Sequence, residues 1–304
     1  MFPMGRIRQY APFLDKGESL KKKPNFNIYF LVLFPFLVVV FLYEILPLVM
    51  MILSSFKSEI DESIIFTFEN YVTALTRLSF QRAIINSLKI TLISTGIGIL
   101  IGFFASHSAH NARGKLKNFF MTILNMTSNF AGVPLAFAYM IILGNSGVLI
   151  MLGETMGWDA LANFDLYTAN GLILMYIYFQ IPLSTLLLIP AFNGIRKEWQ
   201  EANTILGGRN LYFWSMVGIP VLLPSILGTM SVLFANALAA YATAYALLMN
   251  NYSLLPVNIT GMFTGDMKTR PHLGAALSVI MMLLMVATIL INNYITHQTS
   301  KWNE

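Results

Sequence analysis

Long apolar runs alternate along this chain with short polar connectors. Six of the runs are long enough to cross roughly 30 Å of hydrocarbon, which takes about 20 helical residues. They lie near 28–53, 84–106, 119–143, 168–192, 217–249 and 273–296. The pattern predicts an all-α membrane protein with six transmembrane helices. Residues 1–27 form a leading segment, 28–59 the first span and its exit, 60–296 the core, and 297–304 a tail. No soluble domain, internal repeat or low-complexity tract interrupts this layout.

Polar and turn-forming residues subdivide the runs. At 1.5 Å per residue the fifth run would reach roughly 50 Å, too long for one straight span. Pro220 and Pro224 are expected to bend it, with 211–224 a bent entry and the span proper starting near Ile226. Its alanine-rich part, Ala235 to Ala246, predicts close packing against neighbours. Thr127-Ser128-Asn129, followed by Gly132 and Pro134, predict a polar break in the third run. Gly144-Asn145-Ser146-Gly147 is a turn signal, and the apolar patch 148–152 after it reads as a re-entrant or interfacial helix.

Composition and charge support a bilayer. The chain of 304 residues is 56% hydrophobic and 11% charged, against about 25% charged for a soluble domain. It has no cysteine, which excludes disulfides and thiolate metal sites. Segments 1–27, 107–118, 193–216 and 297–304 hold 13 Lys/Arg and 5 Asp/Glu, whereas 54–83, 144–167 and 250–272 hold 5 and 8. By the positive-inside rule both termini are cytoplasmic. The Lys21-Lys22-Lys23 run fits anchoring at anionic headgroups. The apolar stretch after it is longer than a secretory signal core of about 7–15 residues, so it reads as an anchor. In loop 54–83, Glu59, Asp61, Glu62 and Phe66 to Tyr71 suggest short helices at the outer interface.

The most informative stretch is the connector 193–216. Ile195, Trp199, Ala202 and Leu206 recur on one helical face, with Arg196, Lys197, Glu198, Gln200, Glu201 and Asn203 around it. Gly207-Gly208 then stops the helix, and Phe213 opens the next apolar run. The residues read Glu201-Ala202-Asn203, three residues, Gly207, nine residues, then Val217-Gly218-Ile219-Pro220. This resembles the EAA loop of type I ABC importer permeases, the inner-membrane components of binding-protein-dependent transport systems. Their pattern is Glu-Ala-Ala, three residues, Gly, nine residues, Ile-x-Leu-Pro; here Asn203 stands in place of the second alanine. Asn86-Ser87-Leu88, preceded by Phe80 and Ala83, is similar to the same family's transmembrane domain.

The resemblance implies a six-helix permease with a coupling loop at 193–216. Arg196, Glu198, Trp199, Glu201, Ala202, Gly207 and Pro220 would dock a cytoplasmic ATPase, with Gly207 setting the angle between two short helices. It further implies a second permease, identical or paralogous, two ABC ATPase subunits carrying ATP and Mg, and an extracytoplasmic substrate-binding protein. The location implied is a bacterial inner membrane, and this chain would bind no cofactor, metal or nucleic acid. Within the family it is most similar to permeases for polyamines, aminoethylphosphonate or ferric iron.

Polar residues inside the spans are candidates for the pathway, because an ionised group at mid-bilayer costs at least about 2.5 kcal/mol. Glu44 lies about 24 Å along the first span, where snorkelling to the interface competes with a pathway role. Lys89 has the same two readings, and snorkelling fits it better. Asn129 and its neighbours either line a cavity or hold helices together, and Gln180 before Pro182 has the same alternatives. On the fifth run Phe234, Tyr241 and Tyr245 would share one helix face, and Asn236 and Thr243 another. The aromatic face suits either an organic cation or packing. His107 and His110, beside Arg113 and Lys115, have no nearby carboxylate and read as interfacial residues. No phosphate-binding lysine loop or paired-carboxylate site stands out, so the chain is expected to be non-catalytic. The alternative of a secondary active transporter would require a coupling-ion site in repeated, broken helices.

Overall fold

The computed structural model describes residues 26–60, 66–249, 251–264 and 269–300. The expectations for the basic leading segment with Lys21-Lys22-Lys23 and for Asp61 and Glu62 lie outside those residues. Among the described residues every regular element is helical, and six helical stretches are long and apolar enough to cross a membrane. They are Leu33–Ser55, Leu78–Asn111, Val133–Met156, Ala169–Gly194, Asn210–Leu238 and Pro271–Gln298. The chain divides into two compact units, up to Met50 and from Met51 onward.

The first unit holds the helix Phe26–Val40, a π turn at Phe41–Ile45 and the start of Leu46–Ser55. In the π turn the Leu46 N–H bonds the Phe41 carbonyl, one residue further back than in an α-helix. Pro47 follows directly. The second unit repeats this arrangement: a π turn at Trp214–Gly218, an Ile219 N–H bonded to the Trp214 carbonyl, then Pro220. A proline offers no N–H and its ring crowds the carbonyl four residues back. Widening the turn just ahead of it moves that carbonyl aside without ending the helix.

The second and fourth spans form the tightest seam of the core unit. Ser94, Gly98, Gly102 and Ser106 recur every fourth residue on one face of Leu78–Asn111, and all four are buried. A Cβ on Gly98 would stand 2.7 Å from the Gln180 Cβ, and one on Gly102 would collide with the Ser184 hydroxyl. Small residues let the two backbones approach until polar side chains reach across, the usual driving force for helix pairing in lipid. Ser184 donates to the Gly98 carbonyl at 2.9 Å, and Gln180 Nε2 donates to Thr95 Oγ1 at 3.1 Å. On the sixth span Asn292 donates to the Leu227 carbonyl and to Ser231 Oγ of the fifth.

The third apolar region breaks beside its polar cluster as expected, but the bounds of its span are corrected. The run 119–143 is not one span but two helices, Gly114–Ser128 and Val133–Leu143, parted at Asn129–Gly132. Gly132 takes φ +75° there, a backbone that other residues rarely adopt. A turn follows, then the helix Val148–Met156 where the short apolar patch was noted. The fifth region is also corrected. Its span starts at Asn210 and runs through Pro224 to Leu238, and the excess length is taken up by a break at Ala239–Ala240 before Tyr241–Leu248. Phe234 and Tyr241 therefore sit on different helices, as do Asn236 and Thr243.

Opposite ends of the core unit are closed by different means. At one end Asn70 Nδ2 donates to the carbonyls of Ser55 and Lys57 at 3.0 and 2.7 Å. Glu59 Oε1 there accepts the Leu273 N–H at 2.8 Å, at the start of the sixth span. Asn86 and Ser87 serve the same end: Asn86 donates to the Ser253 carbonyl, and Ser87 Oγ accepts the Leu255 N–H that opens Leu255–Thr264. The other end is packed with rings, where Trp214 lies against His107, Phe103 and Phe192 at centroid distances of 5.0, 6.2 and 6.3 Å.

Candidate functional site: a hairpin and a cleft

The connector 193–216 folds as a helical hairpin. Its first arm is Lys197–Ile205, its second opens at Asn210–Phe213, and the ring cluster around Trp214 anchors its base. The first arm ends in a Schellman motif, in which the Gly207 N–H bonds the Thr204 carbonyl and the Gly208 N–H bonds the Asn203 carbonyl at 2.8 Å. Gly207 sits at φ +73°, so the left-handed cap that the sequence predicts for it is present. Below the turn, Gly218 gives the Trp214 indole room, since a Cβ there would lie 2.5 Å from the ring.

Several of the singled-out residues face outward. Glu198, Glu201, Ala202 and Gly207 are exposed, and Arg196 lies over the Trp199 ring at 5.8 Å. Pro220 is half-buried just past the π turn. Leu206 of the predicted apolar face belongs to an exposed apolar tip, which Ile205 and Leu211 complete. Ile205, Leu206 and Leu211 are 85%, 86% and 83% exposed, flanking the two glycines on both arms. Burying one such side chain is worth roughly 1.5–3 kcal/mol, so three together at a polar turn are a candidate contact surface. Behind the hairpin is a polar hollow of about 470 Å³, whose lining includes His107, Asn111, Gln200, Asn203 and Asn210.

The second feature is a cleft of about 540 Å³ where the two helix breaks meet. Ser128, Gly132, Phe179, Asn236, Tyr241 and Thr243 are among its walls, and none of the lining residues is charged. Non-helical backbone shielded from water must find partners within the protein, and two groups at these breaks do so through distant side chains. Gly132 N–H donates to Thr243 Oγ1 at 3.0 Å, and Tyr176 Oη donates to the Ala240 carbonyl at 2.6 Å. Tyr241 and Tyr245 stack at 5.2 Å and 22° on the short helix after the break.

The remaining candidates are dispersed. Asn129 is exposed beside the cleft, with its amide turned back to the Asn125 carbonyl. Gln180 is fully buried against the second span, and its Oε1 has no partner among the described residues. Glu44 lies in the π turn of the first unit. No group of three or more His, Asp or Glu able to hold a metal occurs among the described residues.

Comparison with known proteins matches this architecture. No protein-family model matches the chain. It is 22% identical over 179 residues to the thiamine transport system permease protein ThiP of Escherichia coli (strain K12), covering 59% of the chain and 32% of that protein. The chain thus spans about a third of that relative's length. It is 20% identical to the "Probable sulfate transport system permease protein cysT" of Helicosporidium sp. subsp. Simulium jonesii, over 85% of this chain and 92% of that one. Among solved structures, a chain of a bacterial alginate ABC transporter in complex with an alginate pentasaccharide-bound periplasmic protein superposes with a TM-score of 0.70. It shares 15% sequence identity, covering 90% of this chain and 95% of that chain. The chain has the all-helical fold of an ABC importer's membrane subunit.

Proposed function

We propose that the chain is the permease subunit of a binding-protein-dependent ABC importer in a bacterial inner membrane. It works beside a second permease, with two ATPase subunits on the cytoplasmic face and a substrate-binding protein on the other. The chain itself is a non-catalytic transport subunit; ATP and Mg belong to the partner ATPases. The observation that carries this reading is the exposed apolar tip of Ile205, Leu206 and Leu211 on a glycine-capped hairpin. Such a tip has no use in water and suits insertion into a partner's groove. The excess of basic residues in the hairpin's own connector and the segments grouped with it supports placing it in the cytoplasm.

In this mechanism closure of the ATPase pair draws the hairpins of the two permeases together. Each hairpin passes the displacement through Trp214 to the second span at His107 and to the end of the fourth span at Phe192. The cleft at the helix breaks forms part of the pathway, with Asn236, Tyr241 and Ser128 as the groups a passing solute meets. The solute is small and polar. The uncharged lining offers no counter-charge to a polyamine, a phosphonate or ferric iron, so none of these is favoured.

Co-purification tests the reading. The unaltered chain, expressed with its ATPase and second permease, should bring the ATPase down. Leu206→Asp together with Leu211→Asp should abolish that association while the chain still inserts. If the double variant retains the ATPase, the hairpin is not the docking element.

A further inference from the structure

In the Schellman motif that ends the hairpin's first arm, Asn203 is the third residue from the helix end and Gly208 the second beyond it. That pair normally makes an apolar contact. Here the contact is a hydrogen bond: Asn203 Nδ2 donates to the Gly208 carbonyl at 3.0 Å, while the Asn203 carbonyl accepts the Gly208 N–H at 2.8 Å. The two bonds close a ring across the turn. Gly208 is required for it, because a Cβ there would collide with the Asn203 carboxamide oxygen. The two glycines of the turn thus have separate tasks, Gly207 supplying the left-handed backbone and Gly208 the space for Asn203.

We propose that Asn203 is a positioning residue, a side-chain staple that fixes the angle between the hairpin's two arms and so the presentation of Ile205, Leu206 and Leu211. It occupies the one position of the Glu201-Ala202-Asn203 triplet that departs from the family pattern. An alanine there has no group to return a bond to Gly208, so this hairpin gains a constraint that the pattern itself lacks. Asn203 also lines the hollow shared with His107 and Asn111 of the second span. The angle is therefore set on the side of the hairpin that faces the bundle. This inference rests on the importer reading for its consequence in transport, but not for the staple.

Two measurements separate these. The chain has no cysteine, so Glu198→Cys with Leu211→Cys places one spin label on each arm of the purified chain. The distance distribution should be narrow, and should broaden when Asn203→Asp removes the donor at constant shape. A distribution equally narrow with Asn203→Asp overturns the staple, whatever the protein's function. In the assembled transporter, Asn203→Ala and Gly208→Ala should each lower solute imported per ATP hydrolysed by about fivefold, the factor that one net hydrogen bond carries. The ATPase should stay bound, and the double variant should be no worse than either single one. Additive losses, or an unchanged transport ratio in Asn203→Ala, overturn the positioning role. Failure of the unaltered chain to hold an ATPase overturns the importer reading and this role with it, while the label result still decides the staple.

Discussion

Gly132 donates its backbone N–H to the side chain of Thr243, 111 residues away, and so ties one interrupted helix to the other. Each break leaves main-chain groups that other parts of the protein must satisfy once they are shielded from water. Thr243 is buried and isosteric with valine, so Thr243→Val removes the acceptor while keeping the shape. The expected cost is about 1–3 kcal/mol for a stranded N–H. It should register as a lower unfolding midpoint of the purified protein in detergent.

Tyr176 provides the matching test on the other break. Tyr176→Phe leaves the Ala240 carbonyl without its 2.6 Å donor, at a similar cost of about 1–3 kcal/mol. Thermal melts of the single and double variants with Thr243→Val should show coupling, because the two bonds hold the chain on either side of the break at Ala239–Ala240. Strict additivity would mean that the two bonds act independently.

The seam between the second and fourth spans predicts a contrast among glycines of one helix. Gly98→Ala drives a methyl to 2.7 Å from Gln180, and Gly102→Ala into Ser184. Both should lower the yield of folded protein sharply. Gly96, two residues from Gly98, has nothing within 4 Å of its virtual Cβ. Gly96→Ala should be neutral or stabilising by up to about 1 kcal/mol, from helix propensity alone. Monodisperse yield by fluorescence-detected gel filtration distinguishes the three.

Gly207→Pro places a residue fixed near φ −65° where the backbone needs +73°. The helix cap should fail, and with it uptake, while membrane insertion is unchanged. Full uptake by Gly207→Pro would show that the hairpin tolerates another turn.

Tyr241→Ala removes one wall of the cleft and one ring of the stack with Tyr245. Transport should fall while ATPase association and expression hold. Unaltered transport kinetics would assign Tyr241 to packing.

Much of the architecture was legible because hydrophobic run length is set by the bilayer. The hairpin was legible because Gly207 and Pro220 fall at fixed distances from Glu201. What was missed traces to tertiary contacts that no local rule encodes. Ala239 and Ala240 are the best of helix formers, yet the chain breaks there, with the Ala240 carbonyl held by Tyr176 of the fourth span. Pro224, a helix breaker by rule, lies inside a continuous helix, while Pro220 is accommodated by a widened turn. The Ser94-Gly98-Gly102-Ser106 repeat was readable in principle, but its depth became clear only with Gln180 and Ser184 opposite. The exposed tip could not be foreseen, since leucine and isoleucine beside a charged helix look like an inward face until the backbone shows where they point.

The glycine seam has a mechanical corollary. Two rods pressed so close that a single methyl would part them can neither slide nor roll against each other. The second and fourth spans are bound to travel as one solid piece. In the proposed transport cycle, bending falls on the interrupted rods, where the ladder of main-chain bonds is already cut.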